Sequence, residues 1–146
     1  MSDRPGILGR IERAAQRRMA RWLQRRMFTI PGGPAIISFT FDDFPRSALL
    51  TGGRMLEQAG LAGTYYASLG LMKQTIATGE IFSPEDLPGL LAHGHELACH
   101  TYNHCPAWET SASAFEASVL ENAKVLQQLM PGIFPRYLQG QIFQYN

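Results

Sequence analysis

No apolar run in this sequence approaches the roughly 20 residues needed to cross a bilayer. The first 30 residues also lack the apolar stretch of a secretory leader, because arginines interrupt them every few positions. These two absences give the expectation of a chain that stays in the cytoplasm. Cysteine is scarce. Cys99 and Cys105 are the only two, too few for a disulfide framework. They flank histidines, and they are read as buried or half-buried thiols in preference to metal ligands. Internal repeats and low-complexity tracts are missing as well. No nucleic-acid motif occurs, and nucleic acid is not expected as a partner.

What remains is ordinary globular material. Hydrophobic residues make up 45% of the 146 and charged residues 17%, a balance that excludes wholesale disorder and supports one domain with a core. The charge is unevenly spread. Residues 1–30 hold eight arginines against Asp3 and Glu12, so with a net charge of +1 the rest of the chain must be acidic. Residues 6–27 read as an amphipathic helix: Leu8, Ile11, Ala15, Met19, Trp22 and Leu23 recur at three-and-four spacing, with arginines between them. PGGP at 31–34 breaks the pattern and serves as a linker. The expected organisation is therefore a basic helical arm, 1–30, and a domain, 34–146. The arm either packs its apolar stripe on the domain or lies peripherally on an anionic membrane surface.

Beyond the linker, strands and helices alternate. AIISFTF (35–41) reads as a buried strand, and residues 47–60 as a helix ending at Gly60. GTYYASL (63–69) reads as a second strand. A helix with Ser83 as N-cap and Pro84 in its first position follows and ends at Gly94. ELAC (96–99) reads as a third strand. Ser113 and Glu116 form a capping box for a last helix that stops at Pro131. This order predicts an α/β fold with a parallel sheet.

Two polar clusters each follow a predicted strand: Asp42-Asp43 after the first, and His100 with His104 after the third. In parallel α/β folds the carboxyl ends of the strands share one side, and active sites gather there. The clusters can therefore meet across one pocket. A four-residue spacing puts both imidazoles on one side of a helical turn. Two neutral imidazoles and one carboxylate make three ligands and leave a position open for water, as catalytic zinc sites require. A second carboxylate beside the ion can act as base on that water.

The string ISFTFDDFP resembles the first motif of the polysaccharide deacetylases, the family-4 carbohydrate esterases, which include chitooligosaccharide deacetylases of the nodulation type. GHELACHTYNH resembles their second motif. The resemblance spans roughly residues 34–130. It implies that Asp42 is the catalytic base, and that Asp43, His100 and His104 bind a divalent metal, zinc or in some members cobalt or another ion. It implies that Thr101 braces the motif loop by a hydrogen bond, and that His95 is a packing residue or lies just behind the ligands. His93 is read as a surface histidine. The implied substrate is an N-acetylated glycan, cleaved at its N-acetyl group. The implied fold is the N-terminal part of a distorted barrel of seven or eight βα units, with three to four parallel strands here. The family's later motifs are not found. Arg136 and Tyr137 do not match its groove element, and no histidine follows His104 to serve as general acid. The expectation is a chain truncated after the second motif. Phe44 replaces the family's usual glycine and is expected to crowd the pocket rim. The competing classes are a non-catalytic metal- or glycan-binding module and a membrane-surface protein.

Overall fold

The structure is a computed structural model that describes residues 7–23, 29, 32–107 and 109–132. The chain divides into two compact units, Met1–Ile36 and Ile37–Asn146. In the first, α1 runs from Ile7 to Leu23. Its apolar residues keep the expected spacing, and Arg21 sits in the last turn, where a cation suits the helix dipole. No helix among the described residues is long and apolar enough to cross a membrane.

The second unit is built on a parallel sheet of three strands in the order β1-β2-β5: β1 (Thr40–Phe41), β2 (Thr64–Ala67) and β5 (Glu96–Cys99). Thr40 pairs with Thr64, and Thr64 with Glu96. The first strand is much shorter than the expected 35–41. Residues 33–39 form no regular element, and Ile36 and Ile37 are 88% and 79% exposed. The cause lies in the partner. β2 begins at Thr64, opposite Thr40, so among the described residues those upstream of Phe39 have no strand to pair with. An apolar run is buried only where a second surface covers it.

The helix expected at 47–60 is a π-helical segment, Ala48–Gly53, continued by α2 (Arg54–Gln58) and closed at Gly60 with φ +70°. Gly53 is needed for close packing: a Cβ there would lie 2.9 Å from the Tyr65 hydroxyl oxygen. A 3-10 turn, Leu69–Leu71, follows β2. A small antiparallel hairpin then pairs β3 (Thr75–Ile76) with β4 (Gly79–Glu80), which the pattern did not announce.

Helix α3 covers Asp86–Ala92, so Ser83 and Pro84 lie in a turn before it and are not its cap and first residue. Asp86 reverses the expected roles. Its Oδ2 accepts from the Ser83 backbone N–H at 2.7 Å and from the Ser83 hydroxyl at 3.0 Å. Gly94, at φ +82°, ends the helix as expected. Helix α4 covers Ala112–Leu129. Its cap is Ser111, whose hydroxyl accepts from Ala114 N–H, and not the Ser113–Glu116 box. Ser111 is the last extended residue, while Ser113 already lies inside the helix, so only Ser111 can reach back over the first turn.

The core gathers Phe44, Tyr65, Leu69, Ile81, Phe82, Leu87, Leu90, Leu97 and Leu126. Phe44 stacks on Phe82 at 4.4 Å between ring centroids and tilts against Tyr65 at 4.9 Å. It is fully buried, so it does not crowd a pocket rim. A φ of +48° turns its side chain inward instead.

Candidate metal centre

β1 ends at Phe41 and β5 at Cys99, at the same edge of a parallel sheet. The residues that follow each strand therefore emerge at the same end of the sheet, on either side of β2. Asp43, His100 and His104 each offer one ligand atom, and these atoms all lie within 4.8 Å of one another. The Asp43 Oδ1 is 3.0 Å from His104 Nε2 and 3.5 Å from His100 Nε2.

Two of these atoms, Asp43 Oδ1 and His100 Nε2, are buried and make no hydrogen bond. Buried polar atoms are nearly always satisfied, because an unmade bond leaves the desolvation cost uncompensated. A carboxylate oxygen and an imidazole nitrogen facing each other without a bond fit a cation held between them. Burial pushes the His100 pKa down, and the neighbouring His104 pushes the same way, against the pull of Asp42 and Asp43. The lowered value favours the neutral imidazole, the form that can donate a lone pair.

The backbone here is unusual. Asp43, Phe44, Thr101 and His104 have φ of 59°, 48°, 61° and 52°. Left-handed φ is rare outside glycine and asparagine-like residues, and for β-branched Thr101 and bulky Phe44 it is a genuine departure. Among the described residues only Lys73 shares it outside the two motifs. Such strain persists where surrounding contacts over-determine it, and it clusters at functional sites.

His100 and His104 do not lie on a helical turn, as their spacing suggested. Residues 100–106 form no helix, and the loop brings the two rings to 5.0 Å by doubling back. Its closure is local. Thr101 Oγ1 accepts a hydrogen bond from the Cys105 backbone N–H at 3.0 Å. Asp42 is exposed, next to the cluster in sequence, and its charge reaches His100.

His95 does not lie behind the ligands. It precedes β5 whereas His100 follows it, so about 16 Å of extended chain separates them. Its Nδ1 accepts from Gly63 N–H at 3.1 Å, which makes Nε2 the protonated nitrogen that donates to Glu57 Oε1 at 3.2 Å. It also packs edge-on against Tyr65. Burial, followed by the charge of Glu57, pushes the Tyr65 pKa up to about 12. His93 is largely exposed and also touches Glu57. Cys99 is buried and Cys105 half-buried, and neither belongs to the ligand cluster.

Several supporting residues escaped the sequence reading. Ser68 is fully buried and donates to the His100 carbonyl at 2.8 Å. Asn122 on α4 accepts from Leu69 N–H at 2.9 Å, and its amide donates to the Ala67 carbonyl at 3.0 Å and to Cys99 Sγ at 3.2 Å. Ser118, one turn earlier, bonds the loop between the histidines. The available signal was a serine and an asparagine at i and i+4 on the stripe that Leu126 continues.

The chain matches the polysaccharide deacetylase family over residues 29–142. It belongs to that family. The structure is similar to that of IcaB from Ammonifex degensii, with a TM-score of 0.59 at 17% sequence identity. The match covers 83% of this chain and 61% of that one, so this deacetylase-family chain spans less than two thirds of that protein's length. At such identity the likeness is one of fold: an α/β arrangement with a parallel sheet. No curated protein matches the chain. Arg136 and Tyr137, which the sequence reading compared with the groove element, lie outside the described residues.

Proposed function

We propose that this chain carries the metal-and-base portion of an N-deacetylase that hydrolyses the N-acetyl groups of N-acetylglucosamine-containing glycans, chitooligosaccharides among them. The observation that carries the reading is the convergence of Asp43, His100 and His104, with two of their buried polar atoms lacking any hydrogen bond. In this reading these three side chains hold a divalent ion, zinc in preference to cobalt. A bound ion of this kind polarises a carbonyl oxygen and acidifies water.

The remaining roles fall to the chain itself. Asp42, exposed at the end of β1, takes the proton from the attacking water. Thr101 keeps the histidine loop closed through Cys105. Addition of water to the acetamide and cleavage of its C–N bond yield acetate and a free amine. In the same reading the three parallel strands are the opening part of a distorted (β/α) barrel, and residues 1–30 form an arm distinct from the catalytic domain at 34–146.

The test has two stages. Zinc binding is measured first on the wild type and on Asp43→Ala and His104→Ala. Unchanged binding in both variants would overturn the site. Acetate release from N-acetylglucosamine oligomers is then measured on the zinc-loaded chain and on Asp42→Asn. Release that survives Asp42→Asn undiminished removes Asp42 as base, and zinc binding without any release leaves a metal-binding module and refutes the hydrolase.

A further inference from the structure

The surface of α1 is strongly two-sided. At 100° per residue, Ile7, Ile11, Trp22, Ala15, Leu8 and Met19 fall in an arc of about 120° on α1. Arg10, Arg17 and Arg21 occupy an arc of about 40° outside it. The apolar residues are uncovered: Trp22 is 86% exposed, Leu8 84%, and Ile7 and Leu23 77% each. Glu12 is the only acid on the helix.

We infer that α1 lies in the plane of an anionic lipid surface, with its apolar arc in the acyl boundary and its arginines among the headgroups. Two observations select this occupant. The helix is strongly two-faced but too charged to insert across a bilayer, which is the pattern of interfacial helices. The cations lie beside the apolar arc, and one lies within it. Arg18 sits within the apolar arc, where its long stem lets the guanidinium reach up to headgroups. A second copy of this helix would set five arginines against five, and a neutral apolar partner would leave them unused. An anionic lipid surface satisfies both faces at once, and Trp22 is a residue type that favours that boundary.

The inference does not depend on the deacetylase reading, and its test uses the full chain without any assay of hydrolysis. The chain is co-sedimented with vesicles of phosphatidylcholine alone, and with vesicles that also carry phosphatidylglycerol, at low and high salt. Binding is expected to anionic vesicles, to weaken at high salt, and to be slight on phosphatidylcholine. Replacing Arg10, Arg17 and Arg21 by glutamine should lower partitioning about fivefold per arginine, about a hundredfold in all. Trp22→Glu should abolish it. In a Trp108→Phe background, Trp22 emission should shift to the blue on binding. Because Arg10, Arg17, Arg21 and Trp22 are exposed, the thermal unfolding of the second unit should not change in the variants at these four positions. Three outcomes overturn the inference: no sedimentation with anionic vesicles, equal binding to both lipids at both salts, or a concentration-dependent dimer that Trp22→Glu dissolves while vesicle binding is absent.

Discussion

The Ser118 hydroxyl, on helix α4, accepts a hydrogen bond from the backbone N–H of Tyr102 at 2.9 Å. It also accepts from Asn103 N–H at 3.3 Å, and the Ser118 carbonyl takes a further bond from Tyr102 N–H at 3.0 Å. The loop that separates His100 from His104 is thus fastened to a helix from outside the two motifs. Removing the hydroxyl by Ser118→Ala should cost about 1–2 kcal/mol of stability. It should also weaken zinc binding by about tenfold, because supports of this kind orient the ligands. A chelator-competition titration gives the affinity, and Ser118→Thr, which keeps the hydroxyl, should restore most of it.

Asn122 does the same for the strand ends. Its Oδ1 is the acceptor for Leu69 N–H, and its amide faces Ala67, the last residue of β2. Asn122→Leu preserves volume but leaves the Leu69 N–H unpaired in the core. The expected loss is about 1–3 kcal/mol, read as a lower urea midpoint with an unchanged slope.

Gly70 meets the histidine loop from the other side. A Cβ at this position would lie 2.6 Å from the Tyr102 carbonyl oxygen, a backbone atom that cannot turn away. Gly70→Ala should therefore displace the loop, cost about 1–3 kcal/mol and reduce zinc affinity. Gly89→Ala is the control. Nothing lies within 4 Å of that Cβ, and Gly89 sits inside α3, so the change should raise stability by up to about 1 kcal/mol.

Zinc should stabilise the folded chain by mass action. At a free concentration about a thousandfold above its Kd, the gain is about 4 kcal/mol, seen as a rise in Tm that a chelator reverses. Asp43→Ala and His100→Ala should show no such rise. A rise of equal size in these variants would mean that zinc binds elsewhere.

Asp86 supplies a pH dependence. Burial opposes its ionisation, but the hydrogen bond from Arg46, the Ser83 N–H and hydroxyl, and the Arg46 charge outweigh it, so its pKa falls below the ordinary 3.8. In that window the unfolded chain binds more protons than the folded one. The contribution is therefore complete above the unfolded value and lost as the pH falls through the folded value. The Tm difference between wild type and Asp86→Asn should be largest near neutral pH and close in acid. A difference that widens in acid would contradict the assignment.

The meeting of three residues was more legible than the scaffold. Asp43, His100 and His104 announced themselves because a parallel sheet sends its strand ends to one edge, and residue type and position after a strand suffice to place them. Their local geometry was not legible. The four-residue spacing suggested a helical turn, whereas Thr101 and His104 take left-handed φ and fold the loop back. Hydrogen bonds from the loop's Tyr102 and Cys105 backbone N–H groups to the Ser118 and Thr101 hydroxyls decide that choice, and no periodicity encodes them. Strand 35–41 failed for a different reason. Its residues favour a strand, but pairing depends on where β2 starts, which is a tertiary fact. Ser83 and Ser113 each lay within three residues of the side chain that closes the turn, but near α3 Asp86 accepts from Ser83 and near α4 only the extended Ser111 can cap.

In the metal-binding reading, the left-handed backbone at His104 sets protein stability and metal binding against each other in selection. Its side chain is 38% exposed, so glycine there would relieve roughly 1–2 kcal/mol of backbone strain and give up little packing. A library sorted only for folding should drift to glycine at this position, and one sorted for zinc retention should hold histidine. Sequence variation at residue 104 would then report which of the two pressures a lineage has been under.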